Sequence, residues 1–113
     1  MTNRFIKNMD FETVISLENQ VSYQPGQIVS KTLAQNKALS LTLFAFDKEE
    51  EISTHASNGD ALIIALDGEG EITIDGEKYT LHKGDTIIMP SKKPHAVFAS
   101  QRFKMFLIVV FPL

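Results

Sequence analysis

The sequence contains no cysteine among its 113 residues. This absence excludes disulfides, thiolate metal sites and cysteine nucleophiles. Neither acidic nor basic residues are in strong excess: the net charge is −3 and the pI is near 5.5. Neither nucleic acid nor an anionic membrane is therefore an expected partner.

The longest apolar run, Met105 to Leu113, is too short to span a membrane as a helix. The start of the chain, Met1 to Lys7, has no apolar run behind it and does not resemble a signal peptide. We therefore expect a cytoplasmic protein.

The composition, with 43% hydrophobic and 22% charged residues, is that of an ordinary globular protein. The length suits one domain with one core. We expect a single barrel domain over residues 27–113, preceded by an N-terminal segment, residues 1–26, that packs on it. Apolar residues at roughly helical spacing predict a short helix over about 11–18 in this segment, capped by Asp10.

From residue 27 onward the sequence is typical of short strands separated by turns. Asp67-Gly68 and Asp75-Gly76 stand between runs of apolar and β-branched residues, which is a strong signal for hairpins. The acidic segment 47–51 is interpreted as a solvated connection. An all-β barrel or sandwich follows from this pattern. The predicted strands lie near 27–34, 38–46, 60–67, 70–75, 78–81, 85–89, 94–100 and 103–111.

Two of these strands are apolar on both faces, Leu62 to Leu66 and Met105 to Phe111. A strand of this kind needs cover on both sides. The cover is either a second copy of the chain or the N-terminal segment folded over the outer face. We expect a symmetric homodimer, the commonest closed oligomer, and the second alternative stays open.

The region between His55 and His95 resembles the cupin superfamily, in particular its small single-domain bacterial members. Gly84, Pro90 and His95 match the second cupin motif, G-x5-P-x-G-x2-H-x3-N, and His55 matches the first histidine of the first motif, G-x5-H-x-H-x3/4-E-x6-G. The resemblance covers about residues 27–111. It implies an all-β jelly-roll, or double-stranded β-helix, barrel that is commonly dimeric.

The resemblance also implies a metal bound by two histidines and a glutamate of the first motif and by the histidine of the second. Here Ser57 stands at the second histidine position and Ala61 at the glutamate position. His55 and His95 remain as candidate ligands of at most a weak divalent transition-metal site. Asp60 is a weaker candidate, because alternation along a strand turns it away from the face of Ala61.

Alternation further predicts that Ala61 and Ile63 point into the barrel with His55 and Ser57. Small side chains at these positions leave room for one ligand in a largely apolar pocket. The predicted pocket residues are His55, Ser57, Ala61, Ile63, His95, Phe44, Phe46, Phe98 and Met105.

We therefore expect a small-molecule-binding cupin domain, with the ligand not identified. The alternative is a metal-dependent cupin enzyme of the dioxygenase or isomerase type that uses His55 and His95. A third hypothesis is an interaction protein whose apolar strands bind a partner. Catalytic residues cannot be assigned, since fold similarity alone does not license a named reaction.

Overall fold

A computed structural model describes residues 4–113, so the first three residues of the predicted N-terminal segment 1–26 lie outside the described range. The described chain forms one short 3-10 helix, Leu17–Gln20, and eight strands. The strands are β1 (Ile28–Gln35), β2 (Leu39–Phe46), β3 (Glu51–His55), β4 (Asp60–Ile74), β5 (Glu77–His82), β6 (Thr86–Met89), β7 (His95–Phe98) and β8 (Phe103–Val110).

All strand pairs are antiparallel, and they form two faces of a curled sheet. One face has the order β1-β2-β8-β4-β6, and the other has the order β3-β7-β4-β5. The long strand β4 belongs to both faces and closes the barrel between them. The predicted all-β jelly-roll architecture is thus confirmed.

The continuity of β4 corrects the prediction of two strands, 60–67 and 70–75, joined by a turn at Asp67-Gly68. The pairing register of β4 with β8 shifts between Ala65 and Asp67, and Gly68 has a φ of 75°. The glycine therefore allows β4 to bend from one face to the other and does not reverse the chain. The reversal comes at the second pair, where Asp75 and Gly76, both at positive φ, join β4 to β5.

Strand β3 is absent from the prediction, which placed a solvated connection up to its first residue, Glu51. It has a single apolar side chain, Ile52, and it pairs only with β7. An edge strand exposed on most of its length carries little hydrophobic alternation, so its pattern in the sequence is weak.

The main core lies between the two faces of the barrel. Its largest fully buried side chains include Phe46, Ile63, Ile72, Phe103 and Met105. The rings of Phe46 and Phe103 pack with centroids 5.9 Å apart.

The helix predicted over 11–18 is wrong in type and position. Glu12 has a φ of 54°, which interrupts an α-helix, and Val14 is fully exposed, so the apolar spacing does not define a buried face. Only the single 3-10 turn at Leu17–Gln20 forms, and its N-cap residue, Ser16, makes no side-chain capping bond. Within residues 4–113 no helix is long and apolar enough to cross a membrane.

Residues 16–23, here termed the N-terminal strap, cover part of the outer face of the barrel. Val21 of the strap is buried with Leu33, Leu43 and Ala45, and these residues form a second hydrophobic core. The same chain thus covers one region of the strands that are apolar on both sides.

Polar contacts fix the N-terminal strap at its edges. The Tyr23 hydroxyl donates a hydrogen bond of 2.6 Å to Asp67, and burial together with this carboxylate raises the pKa of Tyr23 above its ordinary value. The buried ammonium of Lys104 donates to the Glu18 carbonyl at 2.6 Å and lies 5.0 Å from the centre of the Tyr23 ring.

Candidate functional site

A cavity of about 130 Å³ borders the main core inside the barrel. Apolar side chains form most of its wall, and three residues, two histidines and a serine, supply polar side chains. Its lining consists of Phe44, Ile52, His55, Ser57, Ala61, Met89, His95, Val97, Met105, Leu107 and Val109.

The two histidines meet because β3 and β7 are antiparallel and pair His55 with His95 directly across the ladder. Directly opposed residues project to the same face of a sheet. The Nε2 atoms lie 3.1 Å apart, with the rings in an edge-to-face arrangement. His95 is buried at 4% exposure, whereas His55 is exposed, so the pair reaches from the cavity to its solvent edge.

Both rings use Nδ1 for a backbone contact. The Nδ1 atom of His55 lies 3.0 Å from the Ser53 carbonyl oxygen, and that of His95 lies 3.1 Å from the Lys93 carbonyl oxygen. A carbonyl oxygen only accepts, so each contact is a hydrogen bond when Nδ1 carries the proton. The two Nε2 atoms lie within hydrogen-bond distance of each other as well, at 3.1 Å. Two neutral rings carry two N–H protons, so two of these three contacts can be hydrogen bonds at once.

Ser57 is the third polar residue of the cavity. Its hydroxyl donates to the Gly59 carbonyl at 2.9 Å and accepts from the Gly59 amide at 3.3 Å. The hydroxyl proton of Ser57 therefore forms a hydrogen bond within its own turn.

The buried position of His95 affects its protonation. Burial lowers the pKa of His95 below its ordinary value of 6.5 and the adjacent His55 lowers it further, while the contact with the Lys93 carbonyl acts in the opposite direction. The neutral ring is therefore the form that the folded protein favours.

This lowered pKa predicts a loss of stability in acid. The unfolded chain takes up a proton at this histidine below about pH 6.5, before the folded chain does, so the unfolding free energy falls as the pH drops through that value. The slope for one proton does not exceed about 1.4 kcal/mol per pH unit. Chemical denaturation between about pH 7.5 and 5 measures it. His95→Gln should show a smaller acid loss than the wild type, and His82→Gln, outside the cavity, should keep it; equal losses in all three would contradict the prediction.

The structure brings six of the predicted pocket residues to the cavity: Phe44, His55, Ser57, Ala61, His95 and Met105. Phe46 and Ile63 are buried in the main core and do not line the cavity. Phe98 lies on the outer face of β7 beside Glu71, because it is an odd number of residues from His95 and a strand alternates.

Asp60, the weaker metal candidate, is exposed and accepts a hydrogen bond of 2.8 Å from the Ser91 amide. It faces away from the imidazoles, as alternation from Ala61 predicted. It therefore does not contribute to the polar end of the cavity.

Several lining residues are missing from the predicted pocket. Val97 follows His95 by one step of alternation, and Leu107 and Val109 follow Met105 in the same way. The alternation of side chains along the predicted strands would therefore have placed these three residues on the cavity wall. Ile52 belongs to β3, which was itself missed, so its place on the wall had no comparable signal.

The cupin motifs imply a ligand set that can be compared with the geometry of the cavity. His55, Ser57, Ala61 and His95, which occupy the four motif positions, all line the cavity. Zinc–nitrogen bonds of about 2.0–2.1 Å allow two nitrogens 3.1 Å apart to reach one ion. However, residues 4–113 contain no group of three or more His, Cys, Asp or Glu side chains that could hold a metal ion. The residues present therefore do not fit a dedicated transition-metal centre.

The backbone has a positive φ at two positions where the cupin motifs have glycine. Glu49 stands at the opening glycine of the first motif with a φ of 71°, and Lys92 stands at the glycine of the second motif with a φ of 67°. Both values lie in the left-handed region that favours glycine. The side chains at these two positions thus depart from the motif, while both φ values are ones that glycine adopts readily.

Comparison with known proteins agrees with this geometry. A family model described as "Cupin domain" matches residues 42–111. A crystal structure of a conserved protein of unknown function from Streptococcus pyogenes is 41% identical, covers 100% of this chain and 99% of that chain, and has a TM-score of 0.97. A cupin superfamily protein from Desulfitobacterium hafniense is 33% identical over 95% of this chain and 98% of its own, with a TM-score of 0.90.

Among curated proteins, an uncharacterized protein from Methanocaldococcus jannaschii is 50% identical over 32 residues. These residues are 28% of this chain, and they span 26% of that protein's length.

Proposed function

Since this chain belongs to the cupin family, we propose that it is a small-molecule-binding module whose ligand occupies the cavity at His55 and His95. The observation that carries the proposal is the combination of an apolar wall with two ring nitrogens that converge at one end. Such a combination is the usual form of a small-molecule site. An apolar cavity of about 150 Å³ binds benzene, so the 130 Å³ available here suits a ligand built on a single small ring.

A divalent metal binds at most weakly in this proposal. Two neutral imidazoles supply two ligands and no negative charge, whereas a catalytic metal normally has three protein ligands and an open position. Ser57 and Ala61, at the two remaining motif positions, supply a committed hydroxyl and a methyl group. These side chains favour ligand binding over the metal-dependent dioxygenase or isomerase alternative.

Methyl NMR with benzene as the probe tests the proposal directly. Met89 and Met105 line the cavity, while Met9 packs in the second core on the outer face and serves as an internal control. We expect benzene to shift the methyl signals of the two cavity methionines and to leave that of Met9 in place. The variant Ala61→Leu, which fills the cavity, should abolish the shifts. Equal shifts at all three methionines, or none in the wild type, would contradict the proposal.

We also propose that the chain forms a homodimer through the part of the outer face that the N-terminal strap leaves open. Leu62 pairs with Ile88 on one side and with Ile108 on the other, which gives an apolar row across three strands. Ile88 is 56% exposed and Val110, near the row, is 58% exposed. A second copy of the chain would cover this surface.

Sedimentation of Ile88→Lys tests the dimer. A charge in the proposed interface should weaken association by at least about tenfold, because the lysine is desolvated without a partner. Tyr79→Lys, an exposed apolar side chain on β5, should not change association. A wild-type protein that sediments as a monomer at micromolar concentration would refute the dimer.

A further inference from the structure

The connection between β3 and β4 contains the only asparagine of the chain that is followed by glycine, Asn58-Gly59. Asparagine is a chemically labile residue, because the backbone nitrogen of the next residue can attack the carbonyl carbon of its side-chain amide. Glycine in the next position has no side chain to obstruct this attack. The pair is therefore the segment of the sequence best suited to spontaneous deamidation.

Both reacting groups of this pair are loosely held. Asn58 is exposed, and its side-chain amide makes no hydrogen bond in the described part of the chain. The one partner of the Gly59 amide there is the hydroxyl oxygen of Ser57, at 3.3 Å, slightly longer than the usual N–H···O range. The ladder of β4 with β8 begins one residue later, where Asp60 pairs with Val110, so it does not fix the Gly59 nitrogen.

We propose that Asn58 is a deamidation site of this protein and that the Ser57 hydroxyl slows the reaction. The Gly59 nitrogen forms a bond to the side-chain carbonyl carbon of Asn58, and the bond from that carbon to the amide nitrogen breaks. Ammonia leaves with the proton that Gly59 gives up, and a cyclic imide remains. Water then opens the imide at either carbonyl carbon, which gives aspartate or isoaspartate. The hydrogen bond to Ser57 stabilises the unreacted state, because the Gly59 N–H must leave it before the nitrogen attacks.

Packing at Gly59 makes the isoaspartate product disruptive. A Cβ atom at Gly59 would lie 2.6 Å from the carbonyl oxygen of Val110 and 2.8 Å from a side-chain carbon of Val109. Isoaspartate inserts one more methylene into the main chain directly before this crowded residue. The aspartate product keeps the ordinary main chain and only adds a negative charge at an exposed position. The two products should therefore differ in stability.

Three other asparagines, Asn8, Asn19 and Asn36, provide internal controls, because they are exposed as well and each precedes a residue with a long side chain. The side chain of Asn36 is also held, since its oxygen accepts hydrogen bonds from the amides of Ala38 and Leu39 at 2.8 and 3.0 Å. Asn19 makes no side-chain hydrogen bond in the described part of the chain, so it isolates the contribution of the following glycine.

Peptide mapping by mass spectrometry, after incubation of the folded protein in neutral buffer at physiological temperature, measures the reaction at each asparagine. We expect aspartate and isoaspartate to accumulate at Asn58 while Asn19 and Asn36 stay intact. Ser57→Ala should react about two- to tenfold faster than the wild type, the factor that one net hydrogen bond predicts for a rate. Ser57→Thr keeps the hydroxyl and should react at the wild-type rate.

Denaturant unfolding of the incubated protein tests the effect of the product. The wild type should develop a fraction that unfolds at lower denaturant concentration. Asn58→Gln should show no such fraction, because its side-chain amide lies one carbon further from the Gly59 nitrogen. Asn58→Asp, which reproduces the charge without isoaspartate, should unfold close to the fresh wild type.

Each part of the proposal has a result that would overturn it. An intact Asn58, or equal rates at Asn58, Asn19 and Asn36, would overturn the site. Aspartate without isoaspartate would assign the reaction to direct hydrolysis by water and overturn the attack by Gly59. A rate for Ser57→Ala at or below that of the wild type would overturn the role of the hydroxyl. None of these readouts depends on ligand binding or on dimerisation.

Discussion

Replacing Gly68 with alanine should lower the free energy of unfolding by more than about 4 kcal/mol, a large part of the total stability of a domain of this size. A Cβ atom at this position would lie 1.6 Å from the carbonyl oxygen of Arg102, and the φ of 75° disfavours any side chain. The obstructing atoms belong to the backbone of the segment that leads into β8, so no side chain can rotate away. Either β4 or β8 must shift where they pair at Gly68 and Phe103.

Gly76→Ala provides the matched control for this prediction. Gly76 also has a positive φ, 86°, but a Cβ atom there would meet nothing within 4 Å. Its substitution should lower the free energy of unfolding only by the cost of holding alanine at a positive φ, about 1–2 kcal/mol. Denaturant unfolding of both variants gives the comparison. Similar losses in the two variants would show that β4 does not cross closely over the Arg102 carbonyl.

The second large effect is expected at Leu43, where truncation to alanine should cost about 2–5 kcal/mol. Leu43 is fully buried although it lies on the outer face of the barrel, because the N-terminal strap covers it. The substitution removes apolar contacts and leaves a cavity in the second core. It tests whether the strap is a structural part of the domain.

Leu41→Ala is the control for Leu43→Ala. Leu41 lies on the same face of β2, one step of alternation away, and is only partly buried. Its truncation should cost about 1 kcal/mol, in proportion to the smaller area it buries. If Leu43→Ala lowered the free energy of unfolding by less than about 1 kcal/mol, the N-terminal strap would not be packed on Leu43 as described.

The sequence predicted the fold wherever local chemistry determines it. Asp75-Gly76 forms the expected tight turn because both residues adopt positive φ. Asp67-Gly68 has the same residue types, yet it bends a continuous strand, and the difference lies in the partner that crosses Gly68, Arg102 in the segment before β8. Local sequence does not contain that contact. The N-terminal helix failed because its apolar spacing does not define a buried face: Val14 is fully exposed, and of its apolar residues only Leu17 packs in the second core.

The candidate site was predictable where alternation fixes the direction of a side chain. His55, Ala61 and His95 meet at one cavity, and Asp60 points away, as the period of two requires. Phe98 was placed on the wall against that period, and the structure puts it outside. The direct contact between the two imidazoles had no signal in the sequence, because it depends on the pairing of β7 with β3, a strand that was not predicted.

In our proposal, the imidazole pair is the polar end of a ligand cavity and lacks the further ligands of a metal centre. Its most direct test is the transition-metal content of the untagged, purified protein beside the His55→Ala, His95→Ala double variant. We expect far less than one metal per chain in both proteins, since two neutral nitrogens do not hold a divalent ion tightly. Near one metal per chain in the wild type, lost in the double variant, would contradict it.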